Sequence, residues 1–292
     1  MKLRTVAILS PGDMGHAVGR VLSDSGLDII TCLKDRSEHT RQLAQKAGIG
    51  DVPNLTDLVT KADLVLSILV PSHALAVARQ VAKAIRTTRT NAVYADCNAV
   101  SPQTAGTMEK LISSAGGRFI DGSIIGGPPK PNASPRFYVS GQHADEMSDL
   151  DGRGIMIRDL GNKVGRASGI KMCYAALTKG TSALQYALLT VAERLGLTDE
   201  LHEELMFSQA GVYRHMETHL PTIPSKALRW VGEMEEISST FENSGLSPHF
   251  HKGAAEMYDL ISQTALTGEL DGNHPTLRNT ISTVADTVSP EN

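Results

Sequence analysis

The sequence predicts an α/β domain built on a parallel sheet, followed by a long helix and an all-helical second domain. In the first half, short apolar runs alternate with helical stretches, which is typical of a parallel sheet covered on both faces. From about residue 169 to 195 the chain has no proline and one interior glycine, Gly180, so a long helix is predicted. Beyond that helix, every periodic segment indicates another helix. We place the boundary between a domain of residues 1–166 and a domain of residues 167–292.

The elements of the first half follow from apolar runs and from the residues that end them. Predicted strands cover residues 5–9, 29–33, 64–69 and 92–97, and predicted helices cover 12–25, 39–47, 72–85 and 101–115. Gly26 and Gly48 end the first two helices. After Asp121 the glycines and prolines of residues 126–131 indicate a loop, and two short strands, 137–140 and 155–157, follow with a brief helix between them.

The long helix and those after it make up the second half. The long helix is apolar on most of its surface, so we expect it to be buried between other elements and to link the two halves. The later helices are predicted at residues 199–213, 225–239 and 248–266, with a last one from Pro275.

Composition excludes several classes of protein. The 292 residues allow about two domains, and 41% apolar with 21% charged residues is ordinary for a globular protein, which excludes disorder and fibrous repeats. Aromatic residues make up only 4%, and the formal charge is -4, so no nucleic-acid partner is expected.

Cysteine usage and hydropathy indicate the compartment. Cys32, Cys97 and Cys173 lack paired spacing and are expected to be reduced thiols. The apolar run of residues 6–9 is too short for a signal-peptide core, and no run approaches the roughly 18 apolar residues of a membrane span. We expect a soluble cytoplasmic protein without a membrane partner.

A glycine turn follows the first predicted strand. It matches the fingerprint G-x-G-x-x-G at its second and third glycines, Gly12 and Gly15, with Ser10 at the first. Gly12 would let the backbone approach a pyrophosphate, Gly15 would let the helix pack on the strand, and the helix amides would hold the anion. An ordinary tight turn is the alternative. We predict a Rossmann domain that binds a nicotinamide dinucleotide through Pro11, Gly12, Asp13 and Met14.

The end of the second strand bears on the choice of cofactor. A lone carboxylate there favours the ribose hydroxyls of NAD, whereas an arginine with a hydroxyl accommodates the 2′-phosphate of NADP. The segment contains Asp35 but also Lys34, Arg36 and Ser37. We expect Arg36 and Ser37 to contact the cofactor and NADP to be preferred, with NAD as the alternative.

Five segments, in this order, resemble the β-hydroxyacid dehydrogenase and 6-phosphogluconate dehydrogenase superfamily. Residues 10–15 resemble its G-L-G-x-M-G, residues 68–71 its Leu-Pro segment, and residues 96–102 its D-x-S-T-x-S-P. Residues 121–127 resemble D-A-P-V-S-G-G, and residues 165–175 resemble G-x-G-x-x-x-K-x-x-N-N. Residues 227–237 are similar to the C-terminal domain of a phosphogluconate-dehydrogenase-like branch with unassigned substrates.

The resemblance implies roles at the matching positions. It implies that Lys171 is catalytic and that Leu69, Val70 and Asn98 lie at the cofactor. The implied substrate-binding residues are Asn98, Ser123, Gly126, Gly127 and Tyr174. The role of Lys171 suits the chemistry, because oxidising an alcohol by hydride transfer needs a group that takes the hydroxyl proton, and reducing a carbonyl needs the same group to return it.

The chain departs from the family pattern at several of these positions. The paired asparagines after the lysine are Tyr174 and Ala175, and the serine of S-G-G is Ile125. Tyr174 could replace a lost amide with its hydroxyl, and Lys179 is a reserve candidate for proton transfer. These departures leave room for an imine reductase on the same fold, or for a non-catalytic NADP-binding sensor.

We expect an NAD(P)-dependent oxidoreductase that transfers a hydride between nicotinamide and a small alcohol or carbonyl, of the β-hydroxyacid type. His215 and His219 have the spacing of metal ligands, but no HExxH pattern accompanies them, so no metal site is predicted. A homodimer is expected, because such helical domains commonly expose apolar faces that pair by symmetry.

Overall fold

The computed structural model describes residues 3–267 and 274–288, and its architecture confirms the predicted fold class. The chain divides into two compact units, Met1–Met172 and Cys173–Asn292. The first contains one sheet with helices on both faces, and the second is helical.

The first unit contains all the strands that the structure describes. They are β1 (Thr5–Leu9), β2 (Asp28–Thr31), β3 (Gly50–Asp51), β4 (Leu64–Ser67), β5 (Val93–Asp96), β6 (Arg118–Ile125), β7 (Arg136–Ser140) and β8 (Met156–Asp159). Their order across the sheet is β3-β2-β1-β4-β5-β6-β7-β8, and every neighbouring pair is parallel except β6 with β7. The first six strands have the order of a doubly wound dinucleotide-binding sheet.

The helices of the first unit connect these parallel strands. They are α1 (Asp13–Asp24), α2 (Glu38–Lys46), α3 (Leu55–Lys61), α4 (Pro71–Thr88) and α5 (Pro102–Ser113), and a 3₁₀ helix, Ala144–Leu150, precedes β8. Because β1 is buried on both faces, its residues alternate between two cores. Val6 and Ile8 pack with Val18 of α1, and Ala7 and Leu9 belong to the core of α4 and α5.

Three elements of this unit were missing from the sequence analysis. The strand β3 has two residues, and α3 has seven, too few for a clear periodicity. Asn54 begins α3 by accepting a hydrogen bond from the amide of Asp57 at 2.9 Å. The strand β6 contains Asp121, Gly122 and Ser123, which lowered its apparent strand character although the structure buries all three.

A long helix and its successors follow. They are α6 (Arg166–Leu195), α7 (Thr198–Ser208), α8 (Ala210–His219), α9 (Pro224–Asn243), α10 (His249–Ser262) and α11 (Leu277–Thr287), with 3₁₀ helices at Leu220–Thr222 and Ala265–Thr267. The single helix predicted for residues 199–213 is wrong. Two helices meet at Gln209, and they differ in burial, since α8 buries Met216 whereas α7 buries no residue.

The expectation that α6 is buried between other elements is wrong for one of its faces. Within the second unit, one face of α6 exposes five large side chains at intervals that keep them on the same side of the helix. They are Tyr174 (46% exposed), Leu177 (68%), Leu184 (52%), Val191 (55%) and Leu195 (66%). The opposite face is buried and contains Ala183, Tyr186 and Leu189. We call these five exposed residues the α6 apolar row.

No helix in residues 3–267 and 274–288 combines the length and apolar character needed to cross a bilayer.

Candidate functional site

The predicted cofactor residues of the first unit lie at one edge of the sheet. Each follows the carboxyl end of a parallel strand: Pro11, Gly12, Asp13 and Met14 follow β1, Arg36 and Ser37 follow β2, Leu69 and Val70 follow β4, and Asn98 follows β5. The strands β1 and β4 are neighbours whose helices, α1 and α4, contribute to different cores. Ligands of doubly wound sheets bind at such a switch point.

The turn after β1 has the geometry of a phosphate-binding loop. Ser10 adopts φ +61°, a left-handed conformation that glycine adopts more readily, and its carbonyl accepts the Gly12 amide at 2.7 Å. A Cβ added to Gly15 would lie 2.9 Å from the Ser10 carbonyl oxygen, so α1 approaches β1 only because position 15 is glycine. A Cβ added to Gly12 would meet no heavy atom within 4 Å.

Anion binding at this turn also depends on the start of α1. Gly12 is the N-cap residue and makes no side-chain capping bond, so the first amides of α1 are not satisfied by a cap. His16 Nδ1 lies 2.8 Å from the Gly12 carbonyl oxygen. Open space over Gly12 beside uncapped amides fits a dinucleotide pyrophosphate.

The loop after β2 is fixed by two residues that the sequence analysis missed. Arg41 Nη2 donates to the Leu33 carbonyl at 2.6 Å, and its Nε donates to the Arg36 carbonyl at 3.3 Å. Asp51 accepts the Leu33 amide at 2.9 Å. Asp35 adopts φ +60° in this loop. Sequence spacing gave no signal for these contacts, because they join α2 and β3 to the end of β2.

The side chains of Arg36 and Ser37 differ in their hydrogen bonds. The guanidinium of Arg36 makes no hydrogen bond or ion pair with the residues that the structure describes. Ser37 is the N-cap of α2, where its hydroxyl accepts the Thr40 amide at 3.2 Å and lies 3.0 Å from Thr40 Oγ1. Arg36 therefore lies beside the N-terminus of α2.

Asn98 is buried and bonded on both sides of its amide. Its Oδ1 accepts the Leu69 amide at 2.6 Å, and its Nδ2 donates to Asp96 Oδ1 at 2.6 Å and to Ser67 Oγ at 3.1 Å. Both protons of the Asn98 side-chain amide are therefore donated to acceptors within the protein. Asn98 holds the segment of Leu69 and Val70, and its predicted contacts with cofactor and substrate stay predictions.

A buried polar row crosses four strands at this edge. Ser67, Asp96 and Asp121 are register partners on β4, β5 and β6, and Asp121 is the partner of Ser140 on β7. All four are buried. Burial raises the pKa of Asp96 to about 7, the hydrogen bonds from Asn98 oppose this rise, and the charge of Asp121 adds to it. Both aspartates begin motif segments, residues 96–102 and 121–127, but no role was predicted for either.

The predicted catalytic residue is hydrogen-bonded to the carboxyl end of β6. Lys171, in the second turn of α6, donates from Nζ to the Ile124 carbonyl at 2.8 Å. Ser123 is buried, and its hydroxyl donates to the Ala167 carbonyl at 2.7 Å. Ser123 therefore binds α6, and its predicted contact with substrate stays a prediction. These bonds place the Lys171 amine at the carboxyl end of β6, the same edge as the glycine turn.

The predicted loop after β6 is present. Gly126 has φ +121°, which strongly favours glycine, and both Gly126 and Gly127 are exposed. Lys130 and Ala133 exchange backbone hydrogen bonds of 2.9 and 3.1 Å, which close the loop before β7. Ile125, at the family's serine position, is buried.

In the second unit, Lys179 is held in a buried cluster. Its amine is ion-paired with Glu233 and lies 5.1 Å from the ring centre of Trp230. Its carbonyl accepts the Tyr258 hydroxyl at 2.6 Å. A lysine paired in this way is poorly suited to exchange protons with a substrate. Tyr174 belongs to the α6 apolar row.

Several histidines of the second unit contact aromatic rings or one another. His215 stacks on His219 at 5.0 Å between ring centres, and His251 is buried against Phe241 at 4.3 Å. Burial lowers the pKa of His251. Within residues 3–267 and 274–288, no group of three or more His, Cys, Asp or Glu side chains could hold a metal ion.

The fold and the glycine turn define a dinucleotide-binding protein, and comparison with known proteins agrees. A model of the NAD binding domain of 6-phosphogluconate dehydrogenase matches residues 5–149, and one of a domain of unknown function, DUF1932, matches residues 192–261. An uncharacterized 28.5 kDa protein of Methanothermus fervidus is 32% identical over 200 residues, 68% of this chain and 75% of that protein. The chain belongs to the 6-phosphogluconate dehydrogenase-like family, in a branch with this C-terminal domain.

Solved structures share the fold. A conserved protein of unknown function, described as structurally similar to 3-hydroxyacid dehydrogenases, is 28% identical with a TM-score of 0.65, over 88% of this chain and 96% of that chain. The 3-hydroxyisobutyrate dehydrogenase of Mycobacterium tuberculosis, solved with L-serine, is 18% identical with a TM-score of 0.70, over 97% of this chain and 99% of that chain. The V8 variant of an imine reductase from Myxococcus stipitatus, in complex with NAD+, is 18% identical with a TM-score of 0.52, over 89% of this chain and 93% of that chain.

Proposed function

We propose that the protein is an NAD(P)-dependent oxidoreductase that interconverts a small alcohol and its carbonyl, with Lys171 as general acid and base. The observation that carries this is the bond of 2.8 Å from Lys171 Nζ to the Ile124 carbonyl. It holds an amine at the sheet edge where Gly12 leaves space for a dinucleotide. A lysine on a solvated helix face would have no such anchor.

In this proposal, separate residues bind the cofactor and transfer the proton. The turn of residues 10–15 and the first amides of α1 would hold the pyrophosphate, and Asn98 would keep Leu69 and Val70 in place beside the cofactor. The nicotinamide, when bound, accepts or supplies the hydride. Lys171 takes the proton of the substrate hydroxyl during oxidation and returns one to the carbonyl oxygen during reduction.

We propose NADP as the preferred cofactor. The guanidinium of Arg36 has no partner among the described residues, and Arg36 lies beside Ser37 and the N-terminus of α2, where a phosphate is favoured. Asp35 is exposed in the same loop and is the feature that keeps NAD possible.

The proposed substrate is a small β-hydroxyacid or a related carbonyl. The exposed glycines Gly126 and Gly127 leave room next to the carboxyl end of β6. Ile125 supplies no polar group for a carboxylate, which favours the imine reductase alternative. A non-catalytic NADP sensor is the other alternative, and it predicts cofactor binding without turnover.

We also propose that the protein is a cytoplasmic homodimer. The α6 apolar row repeats at intervals of three, four and seven residues, a pattern that pairs with a helix of the same repeat. A second copy of the chain supplies such a helix by two-fold symmetry. Cys32, Cys97 and Cys173 are free thiols, which suits a reducing compartment.

The direct test is a screen of the purified protein with NADPH and with NADH. Substrate panels would contain 3-hydroxy acids, aldehydes and cyclic imines, and Lys171→Ala would be compared with Lys163→Ala. Lys163 is exposed just before α6 and serves as the matched control. We expect turnover to fall about 100-fold or more in Lys171→Ala only. Equal turnover in both variants would refute the role of Lys171, and tight cofactor binding without any turnover would favour the sensor.

A further inference from the structure

We propose that Asp121 is a positioning residue whose buried carboxylate binds the first turn of α6 and thereby sets the location and charge state of Lys171. This inference rests on the proposed function, because it concerns the group assigned as acid and base. Asp121 does not touch the reacting atoms. It acts through the backbone of α6.

The carboxylate of Asp121 accepts five hydrogen bonds. Its Oδ2 accepts the amides of Gly165 at 2.8 Å, Ala167 at 3.1 Å and Ser168 at 3.2 Å, and the hydroxyl of Ser140 at 2.8 Å. Its Oδ1 accepts the Ser168 hydroxyl at 2.5 Å. Burial raises the pKa of Asp121, and these hydrogen bonds oppose the rise because they stabilise the charged form.

Three of these donors are amides at the N-terminus of α6, which have no partners within the helix. A residue at the N-cap normally satisfies them with its own side chain. The residue before α6 is Gly165, with φ +96°, and a Cβ there would lie 3.1 Å from Pro102 Cβ. The cap is therefore supplied from β6, and its negative charge also complements the helix dipole.

The anchored turn is the one directly before Lys171. Ala167 precedes Lys171 by four residues, so the Ala167 carbonyl is the helical acceptor for the Lys171 amide. That carbonyl also accepts Ser123 Oγ at 2.7 Å, and Lys171 Nζ returns to the Ile124 carbonyl. Asp121, Ser123 and Ile124 thus hold α6 to β6 at three successive levels, and the two polar side chains are buried from water.

The charge of Asp121 should also act on the Lys171 amine. The carboxylate binds the amides of Ala167 and Ser168, four and three residues before Lys171, and residues at that spacing on a helix lie about 5–6 Å apart at Cβ. A buried carboxylate also acts through a medium of low dielectric. A cap that is merely structural would affect the folding of the first unit only. A positioning residue also changes the reactivity of the Lys171 amine in the folded protein.

The experiment measures acetylation of each lysine by mass spectrometry in the folded, cofactor-free protein, with limiting acetic anhydride as the probe, at several pH values. Asp121→Asn and Ser168→Ala are compared with Asp63→Asn. The Asp63 carboxylate accepts the amides of Arg4 at 2.8 Å and Thr5 at 2.9 Å, so it is a matched backbone-binding carboxylate away from Lys171.

In Asp121→Asn we expect Lys171 to label about 10-fold faster near neutral pH, with its midpoint lowered by about one pH unit, because a stabilising negative charge is lost. Ser168→Ala removes one of the five donors, and we expect labelling a few-fold faster. Lys163 should be unchanged in every variant, and Asp63→Asn should leave Lys171 unchanged.

Unchanged labelling of Lys171 in folded Asp121→Asn would overturn the proposal. If that variant does not fold, Ser168→Ala decides, and an unchanged rate there would have the same meaning. These outcomes are independent of the substrate screen. Normal turnover in Lys171→Ala would refute the proposed function while leaving the labelling result intact. Unchanged labelling in Asp121→Asn would refute the positioning role of Asp121 while leaving the role of Lys171 intact.

Discussion

Asn98 Oδ1 accepts the backbone amide of Leu69 at 2.6 Å, so a side chain after β5 fixes the loop after β4. The bond crosses the sheet edge at which the dinucleotide is proposed to bind. It is part of a buried network, since the other end of the same amide is bonded to Asp96 and Ser67.

Replacing Asn98 should weaken cofactor binding through that loop. Asn98→Ala leaves the Leu69 amide and the Asp96 carboxylate without these partners, so we expect a loss of about 1–3 kcal/mol in the free energy of unfolding. We also expect about 10-fold weaker NADPH binding, measured by nucleotide fluorescence. Asn54→Ala is the control, because it removes the cap of α3 and should cost about 1 kcal/mol without changing affinity. Equal affinity in the two variants would contradict the prediction.

The raised pKa of Asp96 predicts a pH-dependent stability. Its folded value is about 7 against an ordinary 3.8, so between these values the folded protein holds a proton that the unfolded chain has lost. The stabilisation is complete at low pH and is lost as pH rises to about 7. Tyr94, Cys97 and Asp121 are the titratable groups that interact with it.

Asp96→Asn should remove this dependence. Relative to the parent protein, the variant should gain on the order of 2 kcal/mol between about pH 5 and pH 8, measured by denaturant titration. Asp63→Asn, at the opposite edge of the sheet, should show no such gain. A constant difference between Asp96→Asn and parent across this range would show that Asp96 does not titrate there.

Cofactor preference should depend on Arg36. Loss of a charge-assisted bond to the 2′-phosphate in Arg36→Ala should weaken NADPH binding by about 10-fold or more and leave NADH binding nearly unchanged. Arg41→Ala is an informative control, because Arg41 holds the loop by its backbone carbonyls and should affect both nucleotides. Isothermal titration calorimetry measures the dissociation constants of NADPH and of NADH. Equal effects of Arg36→Ala on NADPH and NADH would rule out a role at the 2′-phosphate.

The two glycines of the turn after β1 should respond differently to alanine. Gly12→Ala meets no atom within 4 Å, so stability should be unchanged while a phosphate is obstructed and NADPH affinity falls at least 10-fold. Gly15→Ala would lie 2.9 Å from a backbone oxygen, so it should lower both stability and affinity. Thermal unfolding with nucleotide titration separates the two. Retained affinity in Gly12→Ala would place the pyrophosphate elsewhere.

The α6 apolar row should be required for dimer formation. Leu184→Asp puts a charge in the middle of the row, and we expect a monomer by sedimentation velocity. Leu246→Asp alters another exposed leucine of the second unit, outside the row, and should remain a dimer. A dimeric Leu184→Asp variant would place the interface on another surface.

The site was partly predictable because local sequence encodes part of it. Gly12 and Gly15 have constraints set by neighbours only a few residues away, and Ser37 caps the helix that follows it. Arg41, Asp51 and Ser168 were missed because each acts on a residue brought near by the fold. Lys179 was named as a reserve for Lys171, but its pairing with Glu233, 54 positions later, cannot be read from spacing.

Most of the strands and helices, the glycine turn and the family resemblance could be predicted from the sequence, because they depend on local periodicity and on short motifs. Which polar residues are buried together depends on tertiary contacts instead. Parallel pairing aligned Asp96 with Asp121, and packing of α6 on β6 turned Asp121 into the cap of that helix. Packing also left one face of α6 exposed, because a helix that is apolar on most of its surface does not show by sequence which side its neighbours cover.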